Sequence, residues 1–138
     1  MMDLAEILHL TRSSLVVEKN GEITTYNKKG VRDLIWLLDN KPELLHNARI
    51  ADKVVGRAAA GLMIVGGVRE VYAAAMGRNA LLLLEEAGIR AACGTLVEYI
   101  ADPGNDRCPL EKIVADASSA KEIEILLKKH FEEMKQQQ

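Results

Sequence analysis

The sequence predicts an α/β fold built on a mixed sheet of about five strands that begins with an antiparallel hairpin. Three observations carry this expectation. Residues 14–19 and 22–26 are short runs of strand-forming residues joined by Asn20-Gly21, a dipeptide suited to the positive φ angles of a two-residue turn. Residues 68–76, the turn Gly77-Arg78-Asn79, a helical run over 80–87, Gly88 and extended chain over 89–100 read as strand, helix and strand, the unit of a right-handed parallel crossover. The remaining segments carry apolar residues at helical spacing.

In chain order, Leu4, Ile7 and Leu8 mark a short amphipathic helix over 2–11 with His9 on its polar side. The hairpin register sets Lys19 opposite Glu22 and Val17 opposite Thr24. Val31, Leu34, Ile35 and Leu38 form a helix that stops near Asn40, because Pro42 biases Lys41 away from helical geometry. A short helical turn follows over 42–47.

The stretch 50–65 reads as one helix around which the chain packs. At about 100° per residue, Val54, Val55, Ala58, Ala59, Leu62 and Val65 fill one arc and Asp52, Lys53, Gly56, Arg57 and Ala60 the other. Gly66-Gly67 ends it. Further on, Asn79 is the expected N-cap of the next helix, and Gly94 divides 89–100 into two extended pieces. Residues 102–106 read as a loop. Cys108 precedes Pro109 as an N-cap. Ser119-Ala120-Lys121-Glu122 is a capping box opening a final helix with Ile123, Leu126, Leu127, Phe131 and Met134 on one stripe, fraying from about residue 134.

The totals exclude several function classes. With 138 residues and 49% hydrophobic content, one domain over 1–138 is expected. Lys and Arg number 18 against 20 Asp and Glu, a net charge of −2 that gives no footprint for nucleic acid. Cys93 and Cys108 make no disulfide framework, and the absence of a basic-then-apolar leader points to the cytoplasm. The longest apolar stretch falls short of the roughly 20 residues that span a bilayer.

The element order resembles the cytidine-deaminase-like fold, a three-layer α/β/α sandwich. More narrowly, Ala51-Asp52-Lys53-Val54-Val55-Gly56-Arg57-Ala58-Ala59-Ala60, Gly67-Val68, Val71-Tyr72-Ala73 and Cys108-Pro109-Leu110-Glu111 resemble an uncharacterised prokaryotic family of that superfamily, domain of unknown function 1893. Deaminases of the superfamily hold zinc through His-x-Glu at one helix start and Pro-Cys-x-x-Cys at the next. The positions matched to these read Ala51-Asp52-Lys53 and Met76-Gly77-Arg78-Asn79, with no His or Cys. The resemblance therefore implies a deaminase-like fold without its zinc; no metal or cofactor is expected, and zinc-dependent deamination is not.

It also implies that the helix starts at Asp52 and Asn79 converge beside strand ends, where open α/β sheets bind ligands. Asp52 and Lys53 are then the candidates for chemistry, and Gly56, Arg57, Arg78, Asn79 and Glu111 for holding a small anionic or nucleoside-like ligand. Cys108 is a further candidate, a thiolate favoured by exposed helix amides but opposed by Glu111. Ordinary structural roles compete at each position: first-turn capping for Asp52, close packing for Gly56, a cap for Cys108 and a buried small hydrophobe for Cys93. The competing functional reading is a non-catalytic interaction or regulatory module forming a homo-oligomer through the terminal helix or the hairpin edge.

Overall fold

A computed structural model describes residues 3–28, 30–101 and 108–136. Its centre is a five-stranded mixed sheet in the order β2-β1-β3-β4-β5. The hairpin forms as the turn chemistry requires: β1 (Leu15–Lys19) pairs antiparallel with β2 (Glu22–Tyr26), with Lys19 against Glu22 and Val17 against Thr24. Both turn residues take positive φ, 52° at Asn20 and 85° at Gly21.

The stretch 50–65 is not one helix. It divides into β3 (Arg49–Val55) and α3 (Arg57–Gly66), with Gly56 between them as N-cap. Ile50, Val54 and Val55 are β-branched and suit a strand, whereas the helix proper starts with the Arg57-Ala58-Ala59-Ala60 run. The helical wheel joined them because both elements bury apolar residues toward one core. β3 pairs antiparallel with β1 and parallel with β4 (Glu70–Gly77), so β3-α3-β4 is a second crossover unit. α4 (Arg78–Glu86) then leads to β5 (Arg90–Val97), which pairs parallel with β4. β5 is continuous through Gly94, and the two extended pieces expected there are one strand.

One row of this sheet is irregular. The β3–β4 ladder runs to Asp52↔Ala73 and resumes at Val54↔Ala75, and the β4–β5 ladder runs to Ala73↔Cys93 and resumes at Ala75↔Thr95. Lys53, Ala74 and Gly94 are thus left out together, one from each strand. The alternation changes phase at that row: core-facing positions run 50, 52, then 55 in β3, and 71, 73, then 76 in β4. No strand gains a residue on its neighbour, so the register survives the phase change.

Leu15, Val17, Ile50, Val71 and Ala73 put their side chains into the main core, which is closed by α2 (Arg32–Asn40), α3, α4, α5 (Pro109–Val114) and α6 (Ala120–Gln136). The intervening Val16 and Ala51 face the other way, onto Leu4 and Leu8 of α1 (Leu4–Thr11). α1 is therefore one outer layer and the remaining helices the other. α3 packs against α6 at Gly61, where a Cβ would lie 2.6 Å from Ile123 Cγ2. Pro42–Leu44 is the short helical turn expected before β3.

Local signals at the helix ends hold in part. Ser119 Oγ accepts the Glu122 N–H at 3.1 Å, but the Glu122 carboxylate reaches back to Ser118, accepting its N–H at 3.2 Å and its hydroxyl at 2.6 Å. α4 begins one residue before the expected cap, so Gly77 is the N-cap and Asn79 lies in the first turn. α6 stays helical through Gln136. The expected loop at 102–106 lies outside the described residues. Among those described, no helix is long and apolar enough to cross a membrane.

Candidate functional site

β3 and β4 run parallel, so the helices that follow them both begin beside the carboxyl ends of these strands, on the same end of the sheet. A cavity of about 250 Å³ lies there, lined by Arg57, Gly77, Asn79, Glu98, Tyr99 and Glu111 among others. Of the eight residues singled out from sequence, Arg57, Asn79 and Glu111 line it directly, Gly56 is the cap in front of Arg57, and Arg78 stands between the lining residues Gly77 and Asn79.

The first turn of α3 is already satisfied. Glu111 reaches over from α5 so that its Oε1 accepts the Arg57 N–H at 2.6 Å and its Oε2 the Ala58 N–H at 3.0 Å. A carboxylate on two helix-terminal amides is a strong, charge-assisted cap. Gly56 makes room for it, since a Cβ there would sit 2.4 Å from Glu111 Oε1. The Arg57 side chain works in the opposite direction. It donates from Nε to Val114 O at 3.2 Å and from Nη2 to Ala117 O, covering carbonyls at the end of α5. Arg57 and Glu111 thus clamp α3 and α5 together.

This clamp predicts a coupled pair of substitutions. Gly56→Ala is expected to cost about 2 kcal/mol by displacing the carboxylate, and far less in a Glu111→Ala background. Urea denaturation of the double-mutant cycle measures the coupling; additive losses would show that the cap contributes nothing.

The first turn of α4 differs. Gly77 offers no side-chain cap, and Asn79 and Ala80 border the cavity. Arg78 turns outward, its Nε meeting Glu98 Oε2 at 3.3 Å with both side chains largely in solvent. Such a pair is weak. The cavity is therefore lined by Gly77, Asn79 and Ala80 at the start of α4 and by Glu98 and Glu111.

Asp52 and Lys53 are placed elsewhere. Asp52 lies in the middle of β3, between Leu15 and Ala73, and is 8% exposed. Its Oδ1 accepts the Val54 N–H at 3.4 Å, at the point where the ladder breaks. Burial pushes its carboxyl up to about 7, against backbone hydrogen bonds from Val54 and Lys53 that lower it, and with the nearby Asp33 adding to the rise. Lys53 is exposed and lines a separate groove with His9, Arg12 and Tyr72, beside α1. The reassignment of 50–55 from helix to strand explains both positions: the helix start matched to Asp52 is at Arg57.

Cys108 is the N-cap of α5 through its backbone, accepting the Lys112 N–H at 3.1 Å, while its thiol makes no cap bond. Cys93 is half-buried in β5, less enclosed than its apolar surroundings in sequence suggested. Sequence reasoning missed Glu98 and Tyr99 as lining residues, because they follow β5 directly and were read as strand. The one available signal was the polar pair itself at the end of an apolar run.

The turns that open α3 and α4 read Gly56-Arg57-Ala58 and Gly77-Arg78-Asn79, and the Glu111 carboxylate is held by backbone amides. Among the described residues, no three His, Cys, Asp or Glu side chains are grouped to hold a metal ion.

The sequence profile of a domain of unknown function, DUF1893, matches residues 3–131. The chain belongs to the DUF1893 family. The crystal structure of a DUF1893 family protein from Thermotoga maritima is similar over 89% of this chain and 84% of that one, with 24% identity and a TM-score of 0.80, so the two share a fold. A diaminohydroxyphosphoribosylaminopyrimidine deaminase/5-amino-6-(5-phosphoribosylamino)uracil reductase from Thermotoga maritima is similar over 58% of this chain and 28% of its own, with 19% identity and a TM-score of 0.45. No curated protein matches the sequence.

Proposed function

We propose that the chain binds a small polar molecule, anionic or nucleoside-like, in the cavity between the first turns of α3 and α4. The observation that supports this most is the contrast between the two turns. α3 is capped from within by Glu111, whereas Gly77 gives α4 no side-chain cap, and Gly77, Asn79 and Ala80 line a cavity that Glu98 and Glu111 also line. A ligand carbonyl or anionic oxygen suits the α4 amides, and a ring N–H or amine suits Glu98. The volume of about 250 Å³ lies below the roughly 300–1,000 Å³ usual for drug-sized ligands, which favours a small metabolite. Asp52 is buried in the sheet and Lys53 sits on another groove, so neither is assigned to this ligand.

A thermal-shift screen of nucleosides, nucleotides and small carboxylates is expected to find a compound that raises Tm by about 2 °C or more at saturation. Asn79→Leu should abolish the shift, and Lys53→Met should preserve it. An unchanged response in Asn79→Leu, or a screen with no responding compound, overturns the assignment.

A further inference from the structure

We infer that the groove between α1 and the strands β3 and β4 binds small organic molecules carrying a phosphate ester, at a site separate from the cavity at the starts of α3 and α4. The groove has a volume of about 800 Å³. His9 and Arg12 reach it from α1 and its C-cap, Lys53 from β3 and Tyr72 from β4. Strand alternation brings the last two together, since positions 51 and 53 of β3 and 72 and 74 of β4 share the face opposite the main core.

The polar groups of the groove are one-sided and unused. Among the described residues, His9, Arg12 and Lys53 line it and no carboxylate does, in a chain whose net charge is −2. Within the same residues, none of these three side chains has a hydrogen bond or ion pair, and neither has the Tyr72 hydroxyl. Basic groups at the end of α1 suit the helix dipole, which accounts for His9 and Arg12. That role does not account for Lys53, which comes from a different element, or for the hydroxyl. Gly94 keeps the hydroxyl uncovered, because a Cβ there would lie 3.1 Å from Tyr72 Oη and 2.9 Å from Ala74 O. Three nitrogen-bearing side chains and a phenol around one opening suit a dianion with several acceptor oxygens better than a lone carboxylate. Leu8, Leu10 and Ala74 add apolar surface for an organic body, and the volume exceeds what inorganic phosphate alone would fill.

Phenyl phosphate titrated into the full chain at low salt, followed by proton–nitrogen NMR, should give saturable shifts at residues 8–12, 53 and 72–74. Benzenesulfonate has the same ring and a single charge, and should bind at least about tenfold more weakly. Arg12→Met and Lys53→Met should each weaken phenyl phosphate binding at least about fivefold and Tyr72→Phe about threefold, with circular dichroism unchanged, while Asn79→Leu leaves the affinity as it is. A chain with no saturable response at about 10 mM overturns the proposal. So does binding indifferent to both charge removals, or equal affinity for the two probes. Shifts confined to residues 77–80 and lost in Asn79→Leu would put the anion in the other cavity, overturning this site while supporting the function proposed above.

Discussion

Gly61→Ala is expected to lower stability by about 2–3 kcal/mol, although alanine is the better helix former by about 1 kcal/mol. The new Cβ would lie 2.6 Å from Ile123 Cγ2 and 2.8 Å from its Cβ and Cδ1. Ile123 is fully buried on α6 and branched at Cβ, so it has no rotamer that withdraws all three atoms. Relief requires α3 and α6 to move apart, which opens the core around Leu62 and Leu127. Equilibrium urea denaturation measures the loss. A gain of about 1 kcal/mol, the pure propensity effect, would show that the two helices are not in contact at this residue.

Asp52→Asn should remove most of a pH dependence located in one window. The Asp52 carboxyl is raised from 3.8 to about 7 in the folded chain, by burial first and by Asp33 in addition. The folded state then holds this proton through a range in which the unfolded chain releases it. Stability from this group is therefore fully present below about pH 4, declines as pH rises toward 7, and is flat above. The full shift corresponds to a loss of up to about 4 kcal/mol. Asparagine keeps an oxygen for the Val54 N–H and carries no charge, so the variant should be the more stable protein at pH 8 and lose its advantage near pH 4. Subtracting the two urea-derived profiles cancels the other carboxylates. Parallel profiles from pH 4 to 8 would place the Asp52 carboxyl in an ordinary, hydrated setting.

Much of the architecture was legible because its signals are local. Asn20-Gly21 sets the hairpin and its register, Pro109 the start of α5, and Ser119 the cap of α6. The error at 50–65 arose where local signals conflict. Val54 and Val55 lie on the same wheel arc as Ala58 and Leu62, and only Gly56 and the β-branched residues mark the boundary. Correcting that boundary moved Asp52 and Lys53 out of the cavity while leaving Arg57 and Asn79 at its edge. The Glu111 clamp was not legible at all. It joins residues 53 and 54 positions apart, and neither a Glu in the first turn of α5 nor a Gly before Arg57 announces its partner.

The row of Lys53, Ala74 and Gly94 binds three strands into a single reading frame. Because each strand drops one position from the ladder at the same place, a residue lost from any one of them would throw its following side chains onto the wrong face unless its neighbours changed with it. Insertions and deletions within β3, β4 and β5 are thereby coupled across more than forty positions of sequence, so relatives that differ in length should differ outside these strands.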